Sequence, residues 1–186
     1  MSNKYLFNLK RVHYAPVTVG EDGTLSFGAV TRLMGTTELT MELEQSSEKH
    51  FSEGLVYFVT TSSAGYKGEI SIYNVDEKFE KEVFGMKEDT KKVQYEDMYA
   101  QPKEIALLFE VDGNEKAERH CLLRIKVSKP KYEYKTTTDK TDVPILKMSY
   151  EGLTNEKGIG RIKTSKETDE QVYTKWFESV YTLTTA

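Results

Sequence analysis

The stretch GEISIYNVDEKFEKEVFG, residues 68–85, decides the fold because its hydrophobic period changes from two to about 3.6 part-way along. Ile70 and Ile72 alternate with polar neighbours, which predicts a half-buried strand. Further on, the apolar residues Val75, Phe79 and Val83 recur four apart, which predicts a helix with one buried stripe. The chain is therefore expected to pass from a sheet directly into a helix that lies on it.

Both ends of this helix carry boundary residues. Asn74 is a candidate N-cap, and Glu77 follows three residues later as in a capping box. Gly85 favours the left-handed conformation that ends many helices. Since almost all the remaining chain alternates at period two, we predict a mainly β protein with one principal helix laid across its sheets.

Length and composition limit the class of protein. The 186 residues contain no Pro/Gly/Ser-rich linker, so a single domain over residues 1–186 is expected. No apolar run approaches the roughly 20 residues that cross a bilayer, and the first residues lack the apolar core of a signal peptide, which predicts a soluble protein made in the cytoplasm. The net charge of −4 argues against a general nucleic-acid binder.

Negative charge is concentrated in residues 37–54, where five glutamates and one lysine give a formal charge of −4. Residues 37–44 alternate strictly, which places Glu38, Glu42 and Glu44 on the polar face of a strand. The polar run 45–54 shows no regular pattern and precedes a β-branched and aromatic strand, residues 55–61. We therefore predict a hairpin with a mobile ten-residue tip.

Later in the chain, residues 105–111 and 117–127 form the strongest β signal, a hairpin around the turn Asp112-Gly113-Asn114. Asp169 is a candidate cap for a short closing helix, in which Val172, Trp176 and Val180 recur four apart.

Catalytic and metal chemistry find no support in the sequence. Cys121 follows His120, but neighbours on a strand point to opposite faces, so the two side chains cannot act as a nucleophile and its base. Cys121 is expected to be a buried packing residue that shares its face with Leu123, Ile125 and Val127. One cysteine and three scattered histidines predict no disulfide and no metal site. We expect no catalytic residue, no cofactor and no enzyme activity.

Two charged segments admit more than one interpretation. The glutamates of residues 37–44 fit three interpretations: a solvated outer face, a pair of carboxylates for acid–base catalysis, or a surface whose negative charge serves a function. The lysines and tyrosines of residues 126–135 suit either stacking on single-stranded nucleic acid or an edge strand that lysine protects against aggregation, and the second is favoured.

Several short motifs occur in an order that resembles the major tail protein of long-tailed, non-contractile bacteriophages, the subunit of the tail tube. They are NLKRVHYAP at residues 8–16, Phe27-Gly28, Arg32-Leu33, Gly35, Gly68-Glu69-Ile70 with the helix ending at Gly85, Cys121, Lys129-Pro130, Thr138-Asp139-Lys140, the strand after Pro144, and WFESVY at residues 176–181.

This resemblance implies a β-sandwich or barrel-like subunit flanked by a helix. Such subunits form hexameric rings that stack into a hollow tube around a tape-measure protein, between tail tip and tail terminator proteins. The tube is part of the virion tail, is assembled in the host cytoplasm, and lets DNA pass without sequence-specific binding. No membrane is involved.

On this interpretation Glu38, Glu42 and Glu44 lie on or near the lumen wall, where negative charge would repel passing DNA. The hairpin tip would reach the neighbouring ring or subunit through Ser47, Glu48, Lys49, His50 and Phe51. The alternative is a monomeric β-sandwich adhesin or carbohydrate-binding module that uses Tyr57, Tyr132 and Tyr134.

Overall fold

The computed structural model describes residues 3–134, 136 and 143–183. Its helical segments are α1 (Glu77–Phe79), which continues as a π-helical turn (Glu80–Phe84), and α2 (Glu170–Lys175). The strands are β1 (Leu6–Val19), β2 (Leu25–Phe27), β3 (Thr31–Arg32), β4 (Thr36–Leu39), β5 (Glu42–Ser52), β6 (Leu55–Ile72), β7 (Lys87–Glu88), β8 (Gln94–Tyr95), β9 (Glu104–Gly113), β10 (Glu118–Val127), β11 (Leu146–Gly152) and β12 (Arg161–Lys163).

Ten of these strands form one antiparallel sheet. Seven of them lie side by side in the order β2-β1-β9-β10-β11-β6-β4. β3 also pairs with β1, β5 with β6, and β12 with β10, whereas β7 and β8 form a separate small hairpin. The path has two ends, so the sheet is not a closed barrel. The predicted mainly β fold is confirmed, in its sandwich-like form, and the predicted hairpin of β9 and β10 lies at its centre.

Hydrophobic cores cover both faces of the central strands. The first core joins Leu107 of β9 and Ile70 of β6 to the helical segment, which therefore packs on this face of the sheet. Val75, Phe79 and Val83 are all buried there, which confirms the predicted stripe. The second core packs Trp176 and its neighbours against the opposite face of β9 and β10.

The helical segment starts later than predicted but ends where predicted. Asn74 does not cap it, because extended pairing persists to Tyr73, whose N–H donates to the Gly35 carbonyl at 3.1 Å. The N-cap is Asp76, and its side chain makes no capping bond. Gly85 is left-handed, with φ of 73°.

The closing helix α2 begins as predicted. Asp169 Oδ1 accepts hydrogen bonds from the backbone N–H groups of Gln171 and Val172. The helix ends at Lys175, but Trp176 and Val180 are still buried in the second core. The indole N–H of Trp176 donates to the His120 carbonyl at 3.4 Å, which ties this segment to β10.

The predicted hairpin is confirmed, but the irregular ten-residue tip predicted for residues 45–54 is wrong. β5 runs to Ser52 and pairs with β6 along its whole length. The reversal is a two-residue turn of Glu53 and Gly54, whose φ angles of 53° and 80° are both positive, as in the turns that suit twisted hairpins. Residues 45–52 are extended because β6 supplies hydrogen-bond partners for their backbone, although neither face of this part of the strand is buried.

Two glycines, Gly65 and Gly68, allow close backbone contacts where this hairpin joins the sheet. A Cβ on Gly68 would lie 2.0 Å from the Thr40 carbonyl oxygen, and one on Gly65 would lie 1.9 Å from the Gly152 carbonyl oxygen. The neighbouring backbones therefore approach more closely here than a side chain allows.

Gly68→Ala is expected to lower the free energy of unfolding by about 1–3 kcal/mol, because a backbone segment must move to admit the methyl group. Urea unfolding followed by circular dichroism measures the loss. Gly160→Ala is the matched control, since its Cβ would meet its nearest neighbour at an ordinary 3.6 Å. Equal losses in the two variants would contradict the prediction.

Candidate functional site

The outer part of the β5–β6 hairpin, residues 42–64, extends beyond the sheet, and we call it the arm. β6 pairs with β11 only from residue 67 onward, so within residues 42–64 the two strands pair mainly with each other. Every residue of the arm is exposed except His50, which is half-buried. Among the described residues, the outer edges of both arm strands have no partner, and open edges of this kind favour pairing with another chain.

The end of the arm is apolar on both of its faces. Leu55 and Tyr57 are 74% and 77% exposed on one face, and Val56 and Phe58 are exposed on the other. Phe51 lies opposite Val56 and is also exposed. A surface that is apolar on both sides loses contact with water only when it lies between partners.

Side-chain contacts give the arm a defined structure. The ring of His50 stacks on Phe58 with centroids 4.2 Å apart, and its Nε2 lies 3.0 Å from the Thr60 hydroxyl. Ser46 and Ser62 share a hydrogen bond of 2.7 Å. The residues proposed from the sequence for contacts between subunits are all in β5 rather than in a loop: Ser47, Glu48, Lys49, His50 and Phe51.

The three glutamates proposed for the lumen wall follow one another along one exposed face, opposite residues 65–71 of β6. Glu38 of β4 is opposite Ser71, and Glu42 of β5 is opposite Lys67, so they share the outward face of β6. Lysines from other strands also lie on this face, with Lys67 Nζ 4.0 Å from Glu44 and Lys147 Nζ 2.8 Å from Glu69. The face is acidic but mixed, and the predicted alternation is interrupted between β4 and β5.

The tyrosines of the alternative hypothesis are only partly brought together. Tyr132 and Tyr134 are nearly parallel, at 5° with centroids 6.2 Å apart, and Tyr134 is 89% exposed. The Tyr132 hydroxyl donates to Glu80 at 2.9 Å, and burial and this carboxylate raise the pKa of Tyr132. Tyr57 lies instead on the arm. Residues 126 and 127 end β10, but residues 128–134 form no strand, so the predicted edge strand is wrong there.

His120 and Cys121 point into different cores, as predicted. The His120 ring stacks on Phe109 in the first core, whereas Cys121 is fully buried in the second. The prediction that Ile125 and Val127 share the face of Cys121 is wrong, because a register shift after Leu122 turns them to the first core.

Stability is expected to fall as pH falls from about 6.5 to 4, and His120 is the cause. Burial, with smaller contributions from Arg161 and Lys163, lowers the pKa of its imidazole to about 4, and Nδ1 has no partner among the described residues. The unfolded chain binds this proton from about pH 6.5 downward, whereas the folded chain binds it only near pH 4. The difference lowers the free energy of unfolding by on the order of 3 kcal/mol at pH 4.

Urea unfolding at several pH values measures this dependence. In His120→Phe, which retains a ring on Phe109, the part contributed by His120 should vanish. A variant with the unchanged pH dependence would refute the assignment to His120.

Within the part of the chain that the structure describes, no group of His, Cys, Asp or Glu side chains is arranged to hold a metal ion. There is also no helix in those residues of the length and hydropathy that a membrane span requires. A comparison with models of known protein families found no match. A search of curated proteins found none either. The arm and the acidic face are therefore the features from which a function is argued.

Proposed function

We propose that this chain is the major tail protein of a long-tailed, non-contractile phage, which self-assembles into stacked hexameric rings that form the tail tube. The observation that carries the proposal is the arm, which is ordered, has two open edges and ends in side chains that are apolar on both faces. In a lone chain this surface is a hazard for aggregation, whereas in a regular assembly of many copies it is buried.

The order of the arm supports repeated assembly. A disordered loop must be ordered when it binds, and that entropy cost weakens the contact. Here the paired backbone and the stacked His50 and Phe58 hold the arm in shape beforehand. Most motifs of the resemblance lie in described segments, including residues 8–16 in β1 and residues 176–181 after α2, whereas Thr138, Asp139 and Lys140 lie outside the described residues.

Negative-stain microscopy across concentration, with sedimentation velocity on the same samples, tests the proposal. Rings or hollow tubes of uniform width are the expected result. If the protein alone remains monomeric, the proposed partners, a tape-measure protein and a tail tip complex, are added as initiators. A protein that remains monomeric with them as well is not a tube subunit.

Reversing the acidic face is expected to leave tubes intact but make them retain DNA. Glu38, Glu42 and Glu44 are exposed, so replacing all three with lysine removes no core contact. Added lysines would bind phosphates with release of counterions. Phage that carry the triple variant should eject DNA more slowly, and purified tubes should hold DNA that high salt releases. Glu156→Lys is a control in an exposed turn; unchanged ejection by the triple variant would reject the lumen role.

One observation favours the alternative function of a monomeric carbohydrate-binding module. The parallel rings of Tyr132 and Tyr134, with Tyr134 largely exposed, offer a flat aromatic surface of the kind on which sugars stack. Glycan binding by a permanently monomeric chain, lost in Tyr134→Ala, would support this function over the tail tube.

A further inference from the structure

A groove of about 340 Å³ lies between β1 and the segment that joins β3 to β4. Its apolar lining comes from Leu9, Leu33 and Met34, and Met34 is 70% exposed. Its basic lining comes from Lys10, Arg11 and Arg32. Leu33 is buried in the first core, so the groove combines the exposed Met34 and the half-buried Leu9 with basic side chains.

The edge of β1 beside this groove is open. β1 pairs with β9 from Leu6 to Pro16, but on its other side β3 covers only residues 13–14 and β2 only residues 17–19. Leu33 adds one backbone bond, to the Val12 carbonyl at 2.8 Å. Along residues 6–11 no described strand pairs with this edge, which leaves backbone groups able to accept another strand.

The same segment has unusual backbone geometry. Asn8 and Arg11 have positive φ angles of 59° and 50°, and the register with β9 shifts at both places. Irregularities of this kind bend a strand locally and are common at the edges of sheets. Lys10 and Arg11, which line the groove, lie between and beside these two shifts.

We propose that this groove receives the end of the arm from a second copy of the chain. The inference rests on the proposed self-assembly and names the surface that takes the arm. The apolar end, with Leu55 and Phe51, would cover Leu9 and Met34 beside the open edge of β1. Both surfaces have the exposed apolar area and the open edge that this contact buries.

Charge favours the same match. Towards its end the arm carries Glu48 and Glu53 against Lys49, and Glu53 occupies the turn. In the groove, Lys10 and Arg11 already contact Asp112 at 2.6 Å and Glu110 at 3.8 Å. Arg32 makes no ion pair with any described residue, so it is the cation free to receive Glu53. Because each copy has both an arm and a groove, the contact can repeat from copy to copy and build a ring or a filament.

Cysteine cross-linking tests the contact directly. The variant Met34→Cys/Leu55→Cys, treated with a short bis-maleimide during assembly, should give a ladder of dimers, trimers and larger species on a denaturing gel. Each single variant should give no ladder. Native Cys121 does not interfere, because it is fully buried and burial raises the pKa of its thiol. The control pair Lys157→Cys/Leu55→Cys, with one cysteine in an exposed turn away from the groove, should give no ladder.

The outcomes separate this inference from the proposed function. If tubes form but Met34→Cys/Leu55→Cys gives no ladder, the inference is overturned and the tail-tube function still stands. Equal ladders from this pair and from the control pair would have the same meaning. No self-association under any condition, initiators included, would reject both. A ladder from the first pair alone supports the contact.

Charge reversal provides a second readout. Arg32→Glu and Glu53→Lys should each raise the concentration needed for assembly about tenfold or more, whereas the double variant should recover much of the loss. Lys91→Glu, in the exposed turn of the β7–β8 hairpin, is the control and should assemble normally. If the double variant assembles no better than the single variants, Arg32 and Glu53 are not partners.

Discussion

A chain in which Asn-Gly replaces residues 47–61 is expected to fold as a stable monomer that never forms tubes. Ser46 lies opposite Ser62, so the replacement joins two residues that already face each other. Asn-Gly favours the turn with two positive φ angles that the natural chain makes at Glu53 and Gly54. The removed residues contribute to neither core, so the folded body keeps its stability.

Thermal unfolding and sedimentation velocity measure the two halves of this expectation. The unfolding midpoint of the truncated chain should match that of the unmodified protein under conditions where both are monomeric. Ser47→Ala/Thr61→Ala keeps the length of the arm and its apolar end, so it should assemble normally. Tubes formed by the truncated chain would remove the arm from the mechanism of assembly.

Phe79→Ala is expected to lower the free energy of unfolding by about 3–5 kcal/mol, which is a large part of the total for a domain of this size. Phe79 is fully buried, and its ring meets Tyr14 and Phe84 edge-on, with centroids 4.8 and 5.3 Å away. Its removal leaves a cavity between the helical segment and the sheet, which rigid strands fill only in part.

Urea unfolding measures this loss, and Phe51→Ala is the matched control. Phe51 is 66% exposed on the arm, so the same substitution should change the stability of the monomer by less than about 0.5 kcal/mol. Phe51→Ala should instead weaken assembly. Similar losses of monomer stability in the two variants would show that the arm packs on the body.

Local signals predicted the parts of the fold that local chemistry determines. The change of period at residues 68–85, the left-handed Gly85 and the cap at Asp169 each depend on residues close together in the chain, and each is found. The start of the helix was missed because Tyr73 bonds to Gly35, which is far away in sequence.

The arm shows why the rest of the candidate site was harder to predict. Strands are recognised when one face is buried, and residues 45–52 have no buried face, so their polar pattern resembles that of a loop. The acidic face was predicted from alternation near Glu42, but Lys67 and Lys147 reach it from β6 and β11. The groove was missed because it joins β1 to a segment whose position depends on the folded sheet.

The length of β6 has a mechanical consequence. One strand of 18 residues runs from Leu55 at the end of the arm to Ile72 in the first core, without a loop between them. Its backbone hydrogen bonds with β11 lie across the strand direction. Tension on the arm therefore loads these bonds in parallel, as a shear, instead of opening them one at a time, and the arm is attached to the body in the geometry that resists pulling best.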